Sequence, residues 1–212
     1  MKFRNLTVAL AAAGLAFVAF AASAQDVSRQ GLDSPHVTPQ AVRMLHAFAR
    51  CVALESPSEA RALLARDPES AGFVNGLMRL LDHNTHCLDH GSLAGNRRFF
   101  AARMAEALLL RDLHGGELAT RVAFDADRPA LQARDETELM SVCIVRAAPT
   151  EVAALFGTEP AGSREAEAMR VLAPHLSRCL RQGVEGHFNR PAIRSMLALA
   201  AFRLSENNQA AQ

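Results

Sequence analysis

The sequence predicts an all-α protein built by tandem duplication of a roughly four-helix unit, each unit closed by one disulfide. Three observations predict this. Apolar residues recur at helical spacing, and no convincing alternating strand interrupts them. The four cysteines, Cys51, Cys87, Cys143 and Cys179, form two pairs, each spaced by 36 residues. Sliding the chain by 92 residues lays one pair on the other.

In that register Pro57 meets Pro149, Glu59 meets Glu151, and Ala62-Leu63 meets Ala154-Leu155. Pro68 meets Pro160, Leu80 meets Leu172, His83 meets His175, Cys87-Leu88 meets Cys179-Leu180, and Gly91 meets Gly183. Eleven identities fall between positions 51 and 91 without a gap, where chance gives about three at ordinary composition. One residue is then gained, and Asn96-Arg97 meets Asn189-Arg190.

Residues 1–24 read as a secretory signal peptide. Lys2 and Arg4 give a positive start, Leu6 to Ala22 is almost wholly apolar, and Ala22-Ser23-Ala24 supplies small residues for cleavage between Ala24 and Gln25. An uncleaved anchor is the lesser alternative, because the run is mostly alanine and ends in a well-formed A-x-A. No later stretch is apolar for long enough to span a bilayer.

The first unit is placed at residues 25–112. Thr38-Pro39 is an N-cap followed by proline at the first helical position, and Val42, Leu45 and Val52 continue at helical spacing. Ser56-Pro57-Ser58-Glu59 fits a capping box for a second, short helix that must end before Pro68. In the other half Ala148 replaces the capping serine, and Thr150 becomes the candidate cap. A third, longest helix runs along Phe73, Leu77, Leu80, Leu81, Asn84 and Leu88. Its counterpart runs along Met169, Leu172, Leu176 and Cys179, with a kink or break expected at Pro174. Gly91 and Gly183 stand where a left-handed residue commonly closes a helix. The fourth helix is expected near Arg98 to Arg111, with Phe100, Met104, Ala107 and Leu108 inward. The matching stretch is Pro191 to Leu204. Residues 113–129, with Gly115-Gly116 and Pro129, read as a linker, 130–205 as the second unit, and 206–212 as a disordered tail.

Export places the cysteines in an oxidising compartment, where four thiols suggest two disulfides. Sequence alone permits three connectivities. Duplication selects Cys51–Cys87 and Cys143–Cys179, because each bridge then lies inside one unit. A zinc site from all four is disfavoured by export and by the lack of C-x2-C.

His83, His86 and His90 lie at i, i+3 and i+7 on the expected third helix, flanked by Asp82 and Asp89. They are the candidate metal ligands, for zinc or copper, and the alternative functional reading is a periplasmic metal-binding protein built on them. The favoured reading is a solvated helix end stabilised by the macrodipole, since the other half offers only His175, with Arg178 and Gln182 in place of His86 and His90. No cofactor is otherwise expected.

The chain holds 22 arginines and a single lysine, Lys2, and its net charge of +1 becomes −1 once residues 1–24 leave. That balance, with no Trp or Tyr, argues against nucleic-acid binding. Arg97, Arg98 and Arg103, and Arg178, Arg181, Arg190 and Arg194, form clusters that suit carboxylates or phosphates. Solvation and local pairing are the favoured account, because exposed pairs contribute only about 0–1 kcal/mol. No G-x-S-x-G, H-E-x-x-H, glycine-rich phosphate loop or C-x-x-C is present, so no catalytic residue is nominated.

The repeated pattern C-x5-P-x-E-A/V-x-A-L, then D/E-P, C-L-x2-G and N-R, is similar to small exported bacterial proteins of unknown function that carry paired cysteines in helical units. The resemblance covers nearly the whole mature chain and implies the fold; it brings no activity. The expected function is that of a periplasmic or secreted, non-catalytic helical-repeat protein with a binding or structural role in the cell envelope. Its expected partner is an envelope protein, and no membrane insertion is expected after cleavage.

Overall fold

The computed structural model describes residues 38–88, 96–113, 117–127, 130–181 and 188–209. Residues 1–24, expected to be a signal peptide, the Ala24/Gln25 junction, His90, Gly91 and Gly183 lie outside them. Among the described residues there are nine α-helices, one 3₁₀ turn and no strand. The helices are α1 (Pro39–Glu55), α2 (Pro57–Leu64), α3 (Ala71–His83), α4 (Arg97–Asp112), α5 (Glu117–Val122), α6 (Glu136–Ala147), α7 (Pro149–Phe156), α8 (Ser163–Cys179) and α9 (Arg190–Gln209). The 3₁₀ turn, Thr85–Cys87, follows α3.

Most helix starts follow side-chain chemistry. Thr38 accepts from the Ala41 N–H at 3.2 Å, Ser70 from Phe73 at 3.1 Å and Asn96 from Arg98 at 2.8 Å. Asp135 accepts from Glu138 at 2.8 Å, while the Glu138 carboxylate accepts from the Arg134 N–H at 2.7 Å. Each bond satisfies a backbone donor that the first turn leaves without an intrahelical partner. Proline occupies the first position of α2 and α7, which begin 92 residues apart. Both helices end before Pro68 and Pro160.

The expected capping box at Ser56 does not form. Ser56 occupies the cap position, but its hydroxyl makes no cap bond. It bonds instead to the side chain of Asn84. Thr150 does not cap either, because it lies inside α7 and Ala148 holds the cap position.

The third helix is shorter than expected. It stops at His83, and Leu88 lies beyond a 3₁₀ turn. The cause is Asn84, whose side-chain amide takes the Leu80 carbonyl at 2.8 Å. An α-helix would give that carbonyl to the Asn84 backbone N–H, which turns to Leu81 at 3.0 Å. Such side-chain competition is why asparagine ends helices more readily than it continues them. The longest helix is α9, with 20 residues. In α8 the expected break is absent: the helix runs through Pro174 to Cys179.

Two segments expected to be irregular are helical. The 113–129 linker carries α5, whose Leu118 and Val122 are buried and which packs on α9 and α7. The tail expected from residue 206 continues α9 to Gln209. Asn208 there donates to the carbonyls of Arg121 at 2.6 Å and Ala123 at 3.2 Å. Residues 210–212 lie outside the described residues.

At the centre stand α4 and α9. Every residue from Phe99 to Leu109 is buried, so α4 is covered all round. It packs on α1 and on α9, and α9 packs in turn on α6 and α5. One continuous apolar core results, with Phe73, Met104, Leu108, Ile144, Leu155, Leu172, Leu197 and Leu204 at its heart. Among the described residues no single helix is long and apolar enough to cross a membrane; α6 and α7 pass by composition only as a pair bent by 102°.

Candidate functional site

Both expected disulfides form. Cys51 of α1 joins Cys87 of the 3₁₀ turn, and Cys143 of α6 joins Cys179 at the end of α8, each across 36 residues. Among the described residues no cysteine is free. Each bridge anchors the end of the helix pair that follows it.

A cleft of about 360 Å³ lies between α2 and α3. Its apolar lining is Ala62 and Leu63 from α2 and Gly76 and Leu80 from α3, with Leu63 and Leu80 buried at its floor. Its polar lining is Ser56, Glu59, Arg66, Arg79 and His83. Two hydrogen-bonded pins hold the helices apart at fixed spacing. At one end Asn84, only 2% exposed, exchanges bonds with the Ser56 hydroxyl at 3.0 and 3.2 Å. Near the other, the Arg66 guanidinium donates to the Gly72 carbonyl at 2.9 Å. The volume falls in the range of small-ligand pockets.

The matched helices α7 and α8 carry different residues at these places. Ala148 stands against Ser56, Leu176 against Asn84, Thr158 against Arg66, Ala168 against Gly76 and Val171 against Arg79. Neither polar pin has a counterpart there. Thr158 turns inward, donating to the Leu155 carbonyl at 2.6 Å and accepting from Arg194 at 3.1 Å.

A second constellation is fully enclosed. Arg103, Glu106, Glu165 and Arg194 are each no more than 1% exposed. The Arg194 guanidinium reaches Glu106 at 2.6 Å, Glu165 at 3.0 Å, and the carbonyls of Phe156 and Thr158 at 3.2 and 2.9 Å. Arg103 donates to Glu106 at 3.0 Å and lies 4.6 Å over the Phe99 ring. His46 of α1 adds a bond to Glu106 at 3.0 Å. Glu165 spends its second oxygen on the Ala161 N–H at 2.9 Å. Ala161 there holds a left-handed φ of 60°, so the carboxylate supports a backbone geometry that alanine rarely adopts.

Burial alone pushes the Glu106 carboxyl up. The bonds from His46 and Arg194 and the charges of Arg194 and Arg103 outweigh it and hold the group at about 2. Arg103 is pushed below its ordinary value by burial, with the Arg194 charge adding to the effect against Glu106 and Glu165. Every charge here faces an opposite charge, so the cluster is a clamp between α1, α4, α8 and α9.

Arg103 and Arg194 therefore correct the expectation of solvated arginine clusters. Others follow it: half-buried Arg97 and exposed Arg98 pair with Glu69, and exposed Arg181 pairs with Glu136 at 3.0 Å. Glu106, Glu165 and His46 were not foreseen. The available signal was a charged pair at i, i+3, Arg103 and Glu106, inside an otherwise apolar stretch.

The histidines are not assembled as expected. His83 is at the end of α3, its Nδ1 2.7 Å from the Arg79 carbonyl. His86 is on the 3₁₀ turn, so the helical i, i+3 relation fails, and His90 lies outside the described residues. Among the described residues one group of donors is close enough to share an ion: Cys51, His86 and Cys87. Its two sulfurs are bonded to each other. His175 is half-buried, and its Nδ1 has no partner among the described residues.

No known protein family matches this chain, and neither a curated protein nor a solved structure proved similar to it.

Proposed function

We propose that this chain is an exported, non-catalytic helical protein with a binding role in the cell envelope, descended by duplication from one disulfide-closed helical unit. The observation that carries the reading is the pair of bridges, Cys51–Cys87 and Cys143–Cys179, each closed within its own half. Disulfides persist in oxidising compartments, and the 1–24 segment supplies the route there. Duplication is supported by the eleven matched identities and by the common spacing of α2 with α7 and α3 with α8. The titratable groups of the core are committed to one another, which suits a scaffold. Among the described residues the α2–α3 cleft offers a ligand both charge and apolar surface.

The test is expression with the native leader, followed by fractionation, N-terminal sequencing and thiol titration. The expected product starts at Gln25, is recovered outside the cytoplasm, and has no free thiol. Retention of the leader, or four free thiols in the exported form, overturns the reading.

A further inference from the structure

We infer that the cleft between α2 and α3 binds a small organic monoanion, its carboxylate at Arg66 and Arg79 and its apolar body on Leu63 and Leu80. The inference deepens the binding role proposed above and rests on it.

The argument begins with unspent charge. Most arginines of the described chain are committed to carboxylates: Arg61 to Asp112 and Glu206, Arg97 and Arg98 to Glu69, and Arg203 to Glu138. Arg66 and Arg79 have no carboxylate partner among the described residues, and both line the same cleft. Arg66 is held by one nitrogen on the Gly72 carbonyl, which leaves the rest of its planar fork for a ligand. A guanidinium fork matches a carboxylate in geometry as well as charge. Glu59 shares the rim and pairs with neither arginine. Its charge sets the balance in favour of a singly charged ligand over a phosphate dianion. The floor is apolar, so part of the ligand must be apolar too.

The site is built in one half alone. The second half keeps the counterparts of Glu59, Ala62, Leu63, Leu80 and His83, but has Thr158 and Val171 where the arginines stand. Chain packing alone therefore does not demand Arg66 and Arg79, because the matched helices pack without them.

The experiment is isothermal titration calorimetry on the exported, oxidised protein, with hexanoate, its neutral analogue hexanamide, and inorganic phosphate as probes. Hexanoate is expected to saturate one site, with hexanamide and phosphate each weaker by about tenfold or more, the loss of one charge-assisted contact. Arg79→Gln is expected to weaken hexanoate by a similar factor, and Arg170→Gln, an exposed arginine on α8, to leave it unchanged. Circular dichroism checks that both variants fold. Equal binding of hexanoate and hexanamide, equal binding of phosphate, undiminished binding by Arg79→Gln, or no saturation by hexanoate overturns the inference. These outcomes leave the thiol count and the N-terminus untouched, so failure of the ligand and failure of the exported scaffold are read separately.

Discussion

Arg194 of α9 grips Glu106 of α4 with two nitrogens, Nη2 at 2.6 Å and Nε at 3.0 Å, across 88 residues of sequence and with neither side chain exposed. This fork ties the two halves at their shared interface. Its energy is lopsided. A buried pair adds little over an apolar substitute, but removing one member leaves the other charge buried without compensation. Glu106→Gln is therefore expected to destabilise by about 3–5 kcal/mol, because it strands Arg103 and Arg194 together. The double variant Glu106→Leu/Arg194→Met is expected to lose less than the sum of its single variants. Urea denaturation of the four proteins measures both.

The same carboxylate governs acid stability. Glu106 is held at about 2 in the fold, against about 4.3 when unfolded. A depressed acid stabilises the fold above its unfolded value and loses that contribution as pH falls through the folded value. The window is therefore about pH 4 down to 2, and the sign is loss on acidification. Unfolding free energy measured across that window should fall steeply in the parent. In Glu106→Gln it should fall less, from a lower plateau. Parallel curves would contradict the assignment.

The two bridges close loops of equal length, 36 residues apart in sequence. Chain entropy then predicts equal stabilisation of about 4 kcal/mol each. Paired serine substitution of Cys51 and Cys87, or of Cys143 and Cys179, is expected to lower stability by similar amounts. Non-reducing peptide mapping of each variant should recover the remaining bridge unchanged. A large inequality would show that one half draws on native strain or on residual unfolded structure.

Much of this fold is legible in the sequence because its causes are local. Thr38-Pro39, Pro57 and Pro149 fix helix starts by local chemistry: a side-chain cap at Thr38 and proline at the first helical position. The cysteine pairing follows from a spacing that occurs twice. The failures are equally physical. Asn84 ends α3 through a bond to Leu80 and a partner 28 residues away, Ser56. That tertiary bond took Ser56 from its expected cap. In the 92-residue register Glu165 stands against buried Phe73, so that alignment pointed to an apolar position and hid the ionic clamp. Tail residues 206–209 look polar but find partners on Arg61 and on the carbonyls of Arg121 and Ala123. Of the cleft, Glu59, Ala62, Leu63, Leu80 and His83 recur in the 92-residue register, but nothing in one dimension places them beside Arg66 and Arg79.

Pro174 lies inside α8 on an exposed face. Proline there lacks the N–H for the Arg170 carbonyl and crowds the preceding turn, at a cost of about 3 kcal/mol relative to alanine. The unfolded chain recovers part of that, because proline also restricts the denatured state by about 0.4–1 kcal/mol. Pro174→Ala is expected to stabilise by about 1–3 kcal/mol, read from the urea midpoint at unchanged slope. A decrease would mean that the backbone geometry set by proline is needed to bring Cys179 to Cys143, which non-reducing mapping of the variant would reveal.

Gly76 separates the packing role of the cleft from its binding role. A methyl group added there would sit 2.9 Å from Leu63 Cδ1 and 3.5 Å from the Arg66 guanidinium. Leu63 Cδ1 is the end of a flexible side chain, so the leucine can turn aside at a modest cost. Against that cost stands the helix propensity gained, about 1 kcal/mol for alanine over glycine within a helix. The position 92 residues on, in α8, is Ala168, so a methyl group is accommodated at the matched place between α7 and α8. Gly76→Ala should therefore change stability by less than about 1 kcal/mol in either direction. Its effect on the cleft is different in kind: the methyl group and the displaced leucine both enter the floor on which the apolar body of a ligand would rest. The variant is expected to keep its urea midpoint while losing affinity for hexanoate. A variant that unfolds early would show that α2 and α3 meet there with no slack, and the cleft floor would then be a packing seam.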